Sequence, residues 1–144
     1  LENEIKYIKK NWPKKLPKGI IHGDLFPDNV FFKKNKINGV IDLSNACNDF
    51  FIYDISICVN AWCYNNKLDI NKMKSLIKGY SSIRKIKKKE INYLNLFLRA
   101  SSLRFYLSRL MDSQNNKIVK KYKKNPNEYL KKLKYFQSIN LNNL

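Results

Sequence analysis

Residues 20–32 read IIHGDLFPDNVFF, a short polar loop between two apolar runs. Within this stretch, Asp24 stands two residues after His22 and five residues before Asn29. A loop with this spacing presents a carboxylate and, one turn later, an amide oxygen toward the same small volume. The fold and the chemistry of the chain are both predicted from this loop and its surroundings.

A second apolar run, INGVIDL at residues 37–43, follows a polar turn at residues 33–36. Two short apolar runs that are joined by a polar turn predict a β-hairpin. The hairpin would return the chain toward the loop. We therefore expect the carboxylate of Asp42, at the end of the second strand, to lie beside Asp24 and Asn29.

These side chains suit phosphoryl transfer, which needs an oriented hydroxyl and neutralised phosphates more than covalent help. Their spacing matches the catalytic loop of kinases, which predicts Asp24 as the base and Asn29 and Asp42 as oxygen ligands of Mg²⁺, with ATP as donor. His22, the only histidine, is predicted to pin the loop through a hydrogen bond. Asp54, in an apolar helix, is predicted to brace the loop backbone. An isolated Asp or Asn is more often a turn or cap residue, so the prediction depends on the combination.

The rest of the chain is predicted to be mainly helical. Residues 1–18 form a lead-in helix that prolines end, residues 19–43 form the loop and hairpin, and residues 50–139 form a helical subdomain. Within that subdomain, helical patterns run over residues 50–64, 70–83, 89–112 and 127–139. At 144 residues the chain is long enough for one domain and too short for two. We therefore expect a single α+β domain.

Composition narrows the class of protein. The formal net charge is +18, and clustered lysines can bind nucleic acid. An AT-rich coding sequence also produces a chain crowded with Lys, Asn and Ile, and we favour that explanation. The three cysteines lack a CxxC spacing, which argues against disulfides and zinc and fits a reducing cytosol. No apolar run approaches the roughly 20 residues of a membrane span, so a cytoplasmic protein is expected.

The quoted motifs resemble the aminoglycoside phosphotransferase-like kinase superfamily, in which HxDxxxxN precedes a hydrophobic-Ile-Asp motif. Further phrases resemble its homoserine kinase branch, and they stand at residues 25–32, 44–63, 103–112 and 125–135. The resemblance implies the C-terminal lobe of a protein-kinase-like fold. It also implies homoserine as acceptor, ATP as donor, Mg²⁺ as cofactor and O-phosphohomoserine as product, on the route to threonine. A kinase of another small hydroxylated metabolite, such as choline or methylthioribose, stays open.

Homoserine carries a carboxylate and an ammonium group, so its pocket should offer a guanidinium and acceptor oxygens. Arg104 shares a predicted helical face with small residues and is the candidate for the carboxylate. A structural pairing of Arg104 with Asp112 or Glu128 is an equally favoured alternative. Three further residues are candidates to line the same pocket: Asn45, Asn60 and Trp62. The last of these is equally well explained as core packing.

Kinase-like enzymes also need an N-terminal lobe that covers the phosphates of ATP. The chain has no GxGxxG motif and no strand-rich stretch before Gly19. We therefore expect a fragment, inactive by itself, whose missing N-terminal lobe lies upstream of Leu1. A non-catalytic basic module that binds nucleic acid and a decayed remnant are the alternatives.

Overall fold

A computed structural model of the chain describes residues 1–115, 124–139 and 141. Its helices and strands are, in chain order, α1 Glu2–Asn11, β1 Lys18–Ile21, β2 Val30–Lys33, β3 Lys36–Val40, β4 Cys47–Phe50, α2 Phe51–Trp62, β5 Tyr64–Asn65, β6 Lys67–Leu68, α3 Ile70–Ile83, α4 Lys88–Ile91, α5 Leu94–Gln114 and α6 Asn127–Ser138. Helices dominate, and in this described part the strands form two-stranded antiparallel pairs. The predicted α+β class is confirmed.

Helix α5 lies at the centre of the packing and contacts both α2 and α6. On α2, the apolar residues Ile52, Ile55 and Val59 recur at helical spacing and join Phe97 and Leu98 of α5 in one buried cluster. Burial of each such side chain contributes about 1.5–3 kcal/mol. This packing fixes α2 against α5, and thereby fixes the polar residues that the two helices direct toward the catalytic loop.

Strand β1 leads into the loop and pairs antiparallel with β4, so that Gly19 lies opposite Asp49. A side chain at Gly19 would collide with the ring of Phe51, because a Cβ there would lie 2.5 Å from the ring. Strand β4 was not predicted, since its sequence CNDF has no alternation of apolar and polar residues. Its partner lies far away in sequence, and pairing of this kind leaves no local signal.

The predicted hairpin is formed by β2 and β3, with Val30 opposite Val40 and a bulge between Phe31 and Phe32. The second strand is shorter than the apolar run suggested, because it ends at Val40. Asp42 adopts a left-handed backbone with φ of 63° and begins a 3-10 turn. A left-handed residue cannot continue a strand, so the strand stops before the carboxylate.

The helical region differs from the prediction in two places: β5 and β6 form a short antiparallel pair within it, and one predicted helix is divided. The apolar stretch that was expected as one helix over residues 89–112 is divided into α4 and α5. Glu90 is fully buried in the first turn of α4. Its carboxylate accepts a hydrogen bond from the backbone N–H of Lys87 and forms an ion pair of 2.6 Å with Arg84. Residues 116–123 of the predicted helical region lie outside the described residues. None of the helices in the described ranges is long and apolar enough to span a membrane.

Helix α1 is attached to α5 by a buried ion pair. The guanidinium of Arg99 donates two hydrogen bonds of 2.7 Å to the carboxylate of Glu4, and Gln137 of α6 donates a third. Glu4 is 6% exposed. Burial raises the pKa of Glu4, but the hydrogen bonds from Arg99 and Gln137 outweigh it and hold the pKa below its ordinary value.

Candidate active site

A cleft of about 320 Å³ opens between the loop at residues 22–29 and helix α5. Five of the residues predicted from sequence line it: Asp24, Asn29, Asp42, Asn45 and Arg104. His22 and Asp54 contact the loop backbone behind the cleft. The structure therefore brings the predicted catalytic and metal-binding side chains to one place.

The loop is held by the carboxylate of Asp54, on α2. Its Oδ2 atom accepts a hydrogen bond of 3.1 Å from the backbone N–H of His22, and its Oδ1 atom accepts one of 2.9 Å from that of Gly23. The backbone at Gly23 is left-handed, with φ of 75°, a conformation that favours glycine. The chain is thereby turned so that Asp24 faces the cleft.

The ring of His22 connects the loop to the hairpin. Its Nδ1 atom accepts a hydrogen bond from the backbone N–H of Asp24 at 3.3 Å, and its Nε2 atom lies 3.0 Å from the carbonyl oxygen of Ile41. An acceptor at Nδ1 leaves the proton of a neutral imidazole on Nε2, where it donates to that oxygen. His22 therefore links the residue that precedes Asp42 to the backbone of Asp24.

The carboxylate of Asp24 accepts no hydrogen bond from any described residue, which leaves it open to accept a proton from a bound hydroxyl. Burial raises the pKa of Asp24 above its ordinary value, while the nearby charge of Arg104 opposes that rise. A carboxylate whose pKa is raised binds a proton more strongly than an ordinary aspartate does. This combination suits a general base.

Asn29 and Asp42 each keep one side-chain oxygen free of donors among the described residues. Asn29 uses its Nδ2 amide group to donate to the backbone oxygen of Asp24 at 2.9 Å, so its Oδ1 atom is unengaged. Asp42 uses Oδ1 for the hydroxyl and backbone N–H of Ser44, at 2.5 and 3.3 Å, and its Oδ2 atom is unengaged. These hydrogen bonds also lower the pKa of Asp42.

Two free hard oxygens fit Mg²⁺, which commonly binds one or two protein oxygens and completes its shell with phosphates and water. The described residues contain no group of three or more His, Cys, Asp or Glu side chains that could hold a metal without such help. Asn29 and Asp42 are therefore the residues that would hold the ion. Ser44, which orients Asp42, was not predicted, although an Asp followed two residues later by a Ser is a recognisable turn signal.

The structure places the predicted acceptor-binding residues in two different environments. Arg104 donates to the backbone oxygen of Gly23 at 2.6 Å and to Oδ1 of Asn45 at 3.0 Å. It pairs with neither Asp112 nor Glu128, because Glu128 instead receives the guanidinium of Arg109 at 2.6 Å. Arg104 and Asn45 are thus in the cleft, but they are bound to the protein and to each other.

Asn60 and Trp62 do not line this cleft. Asn60 is fully buried, and its amide group donates to the hydroxyl of Ser101 at 2.8 Å. The indole N–H of Trp62 donates to the backbone oxygen of Leu25 at 2.9 Å, and its ring faces Phe32 of the hairpin. Trp62 therefore holds the loop at Leu25, whereas Asn60 joins α2 to α5 in the interior.

Other residues that were not among the predicted site residues also line the cleft. Asp28 and Lys124 form an exposed ion pair of 3.0 Å at the cleft, and Ser108 and Asp112 continue the face of α5 that carries Arg104. The four-residue spacing of positions 104, 108 and 112 was a usable signal for this face. No local sequence signal indicated Lys124, because its partner Asp28 lies 96 positions away.

Comparison with known proteins now assigns the class. The phosphotransferase enzyme family matches residues 1–85, which is more than half of the 144 residues and includes the loop, the hairpin and Asp54. The chain belongs to this family. Family membership agrees with a cleft that gathers an open carboxylate and two free oxygen ligands.

The particular relatives are homoserine kinases. The chain is 45% identical over 141 residues to the homoserine kinase of Sinorhizobium fredii, covering 94% of this chain and 43% of that protein. It is 44% identical over 144 residues to the homoserine kinase of Rhizobium meliloti, covering 96% of this chain and 44% of that protein. The predicted resemblance to homoserine kinases is confirmed. The chain spans less than half the length of these relatives.

Proposed function

We propose that the protein containing this chain phosphorylates the hydroxyl group of L-homoserine, with ATP as donor and O-phospho-L-homoserine as product. The observation that supports this most directly is that Asp24, whose carboxylate is open, lines the same cleft as Asn29 and Asp42, which each keep a free side-chain oxygen. Similarity to homoserine kinases over 94–96% of this chain supports the choice of acceptor.

In the proposed reaction, Asp24 orients the acceptor hydroxyl and accepts its proton as the hydroxyl oxygen bonds to the γ-phosphorus. The bond from that phosphorus to the bridging oxygen breaks, and ADP leaves with the electron pair. Bound Mg²⁺ would neutralise charge on the phosphates. Asn29 and Asp42 would hold the ion, and Asp54 and His22 would keep the loop in register with the hairpin.

The acceptor contacts remain predictions. Two N–H donors of Arg104 already bind protein oxygens, and its guanidinium also interacts with the Tyr53 hydroxyl, so a contact with the homoserine carboxylate would use donors that these partners leave free. Asn45, at the cleft, could approach the acceptor, whereas Asn60 and Trp62 would act only through the fold. Placement in the cytoplasm and on the route to threonine belongs to the same proposal.

A lobe that lies outside this chain is also part of the proposal. The curated relatives are more than twice as long as the matched region, and a kinase requires a lobe over the donor phosphates. Apolar side chains of the hairpin, including Phe31, Phe32 and Ile37, are more than half exposed here. Of these, Phe32 and Ile37 line one cavity together with Val40, and a group of exposed apolar residues is typical of a surface that another part of a protein covers.

The test is ADP release by the full-length protein with MgATP and homoserine. We expect turnover with homoserine and a fall in kcat of about 10²–10⁴ in Asp24→Asn, because a positioned base contributes that much. Asp42→Ala should require more Mg²⁺ for the remaining activity. Asp69→Asn is the matched control, since Asp69 caps α3 and does not line the cleft, and asparagine also caps helices.

Two results would contradict the proposal. Turnover with choline or methylthioribose and none with homoserine would support phosphoryl transfer but would contradict homoserine as the acceptor. Binding of DNA or RNA that weakens steeply with salt and is unchanged in Asp24→Asn, without turnover of any hydroxyl acceptor, would favour the nucleic-acid alternative.

A further inference from the structure

The guanidinium of Arg104 joins two segments that are remote from it in the sequence. Its Nη1 atom donates to the backbone oxygen of Gly23, 81 positions away, and its Nη2 atom donates to Oδ1 of Asn45, 59 positions away. Gly23 immediately precedes Asp24. Asn45 ends the 3-10 turn that Asp42 begins. One side chain therefore contacts both segments that carry a catalytic carboxylate.

The two segments also touch each other at this point. A Cβ atom at Gly23 would lie 2.6 Å from the backbone oxygen of Asn45, so the loop and the turn meet backbone against backbone. No side chain fits between them. The relative position of Asp24 and Asp42 therefore depends on this contact and on Arg104, which binds both sides of it, as well as on the His22 ring that joins the loop to the hairpin.

We propose that Arg104 is a positioning residue that fixes the separation of the Asp24 and Asp42 carboxylates by binding the loop and the turn together. The inference rests on the proposed phosphoryl transfer. It differs from the prediction that Arg104 binds the acceptor, because a positioning role acts on the catalytic step rather than on acceptor affinity.

The residue type and its location both suit this role. A planar guanidinium can donate to two oxygens at a fixed angle, whereas the single ammonium of lysine cannot reproduce that geometry. Arg104 also extends from α5 between Leu103 and Phe105, which are both buried. Its backbone is thus part of the packed core, which makes it a rigid anchor for two surface segments.

The expected kinetic effect follows from the geometry of in-line transfer. A misplacement of about 1 Å between reacting groups can cost 10²-fold in rate. For Arg104→Lys, which keeps the charge and loses the fork, we expect kcat to fall about 10- to 100-fold. The KM for homoserine should change less than threefold, because the loss of an interaction that acts only in the transition state lowers kcat and leaves KM unchanged.

The experiment compares Arg104→Lys, Asn45→Ala and their combination in the full-length protein, with Arg99→Lys as the control. Arg99 occupies the same helix and also donates through its fork, but to Glu4. Because Arg104 and Asn45 form one contact, the double variant should lose little more kcat than Arg104→Lys alone. Arg99→Lys should leave kcat unchanged.

Amide hydrogen exchange supplies a readout that does not depend on turnover. Arg104→Lys should speed exchange in the segments around Asp24 and around Asp42 together, and Arg99→Lys should speed it in neither. Unchanged exchange in both segments would overturn the positioning role, whether or not the enzyme is active. A rise in KM with kcat unchanged would also overturn it and favour contact with the acceptor. Absence of turnover in the wild-type protein would refute the proposed function. The positioning role of Arg104 would then be judged from hydrogen exchange without the kinetic data.

Discussion

Replacement of Asp54 by asparagine should loosen the catalytic loop without removing any residue from the cleft. The carboxylate accepts two hydrogen bonds, from the backbone N–H groups of His22 and Gly23 at 3.1 and 2.9 Å. Asparagine has one acceptor oxygen, and its amide group would turn donors toward the second N–H. Asp54→Asn therefore loses at least one hydrogen bond to a charged group and leaves a backbone donor unsatisfied.

The magnitude follows from these contacts. A hydrogen bond to a charged group contributes about 1.5–3 kcal/mol, so we expect the free energy of local opening at the loop to fall by about 2–3 kcal/mol. At about 1.4 kcal/mol for each tenfold change, the amide protons of His22 and Gly23 should exchange roughly 30- to 150-fold faster. Nuclear magnetic resonance can follow these two protons separately from the rest of the protein.

Asp69→Asn is a suitable control for this prediction. Asp69 also accepts a backbone N–H, but the donor is that of Lys72 in α3 and not that of His22 or Gly23. Exchange at His22 and Gly23 should be the same in that variant and in the wild type. If Asp54→Asn left both protons at their wild-type rates, the loop would have to be held by other contacts and the bracing role would be refuted.

Three further outcomes can be measured. Arg99→Gln should reduce the free energy of unfolding by about 3 kcal/mol, since a buried charge that loses its partner costs about 3–5 kcal/mol and Gln137 still donates to Glu4; an unchanged urea midpoint would contradict this. Because the pKa of Glu4 is lowered in the folded protein, stability should be full above its ordinary pKa near 4.5 and fall on acidification through the lower folded value, with a smaller loss in Arg99→Gln. Labelling with iodoacetamide near neutral pH should modify exposed Cys47 first, because burial raises the pKa of the other two thiols, to about 12 for Cys58 and about 11 for Cys63; mass spectrometry that found these two labelled first would exclude that order.

Local patterns were sufficient for much of the fold. The hairpin and the helices over residues 50–64 and 70–83 were predicted because the spacing of apolar residues and the residue types of a turn can be seen within a short stretch of sequence. Strand β4 and the division of α4 from α5 were missed. The first depends on pairing with β1. The second is a break at Asn92 and Tyr93, which lie between the two helices. Contacts of this kind are decided by tertiary packing rather than by propensity.

In the candidate site too, features that depend on local spacing were predicted and features that depend on tertiary contacts were not. Asp24, Asn29 and Asp42 were placed together from their spacing, and they line one cleft in the structure. Arg104 was selected because its helical face carries small residues, but its partners at Gly23 and Asn45 could not be read from a helical period. The hydrogen bond from Arg104 to Gly23 joins residues that are 81 positions apart, so no local sequence pattern indicates it. The interior place of Asn60 likewise depends on Ser101 of α5, on another helix.

The close contact between Gly23 and Asn45 also limits how this cleft can evolve. Any single substitution at Gly23 must adopt a left-handed backbone and must displace the carbonyl of Asn45, which a Cβ would approach to 2.6 Å. A compensating change at residue 45 would disturb Arg104 as well. Adaptation toward a different acceptor is therefore expected to proceed through the outer positions on α5, such as Ser108 and Asp112, while the contact between loop and turn is inherited unchanged.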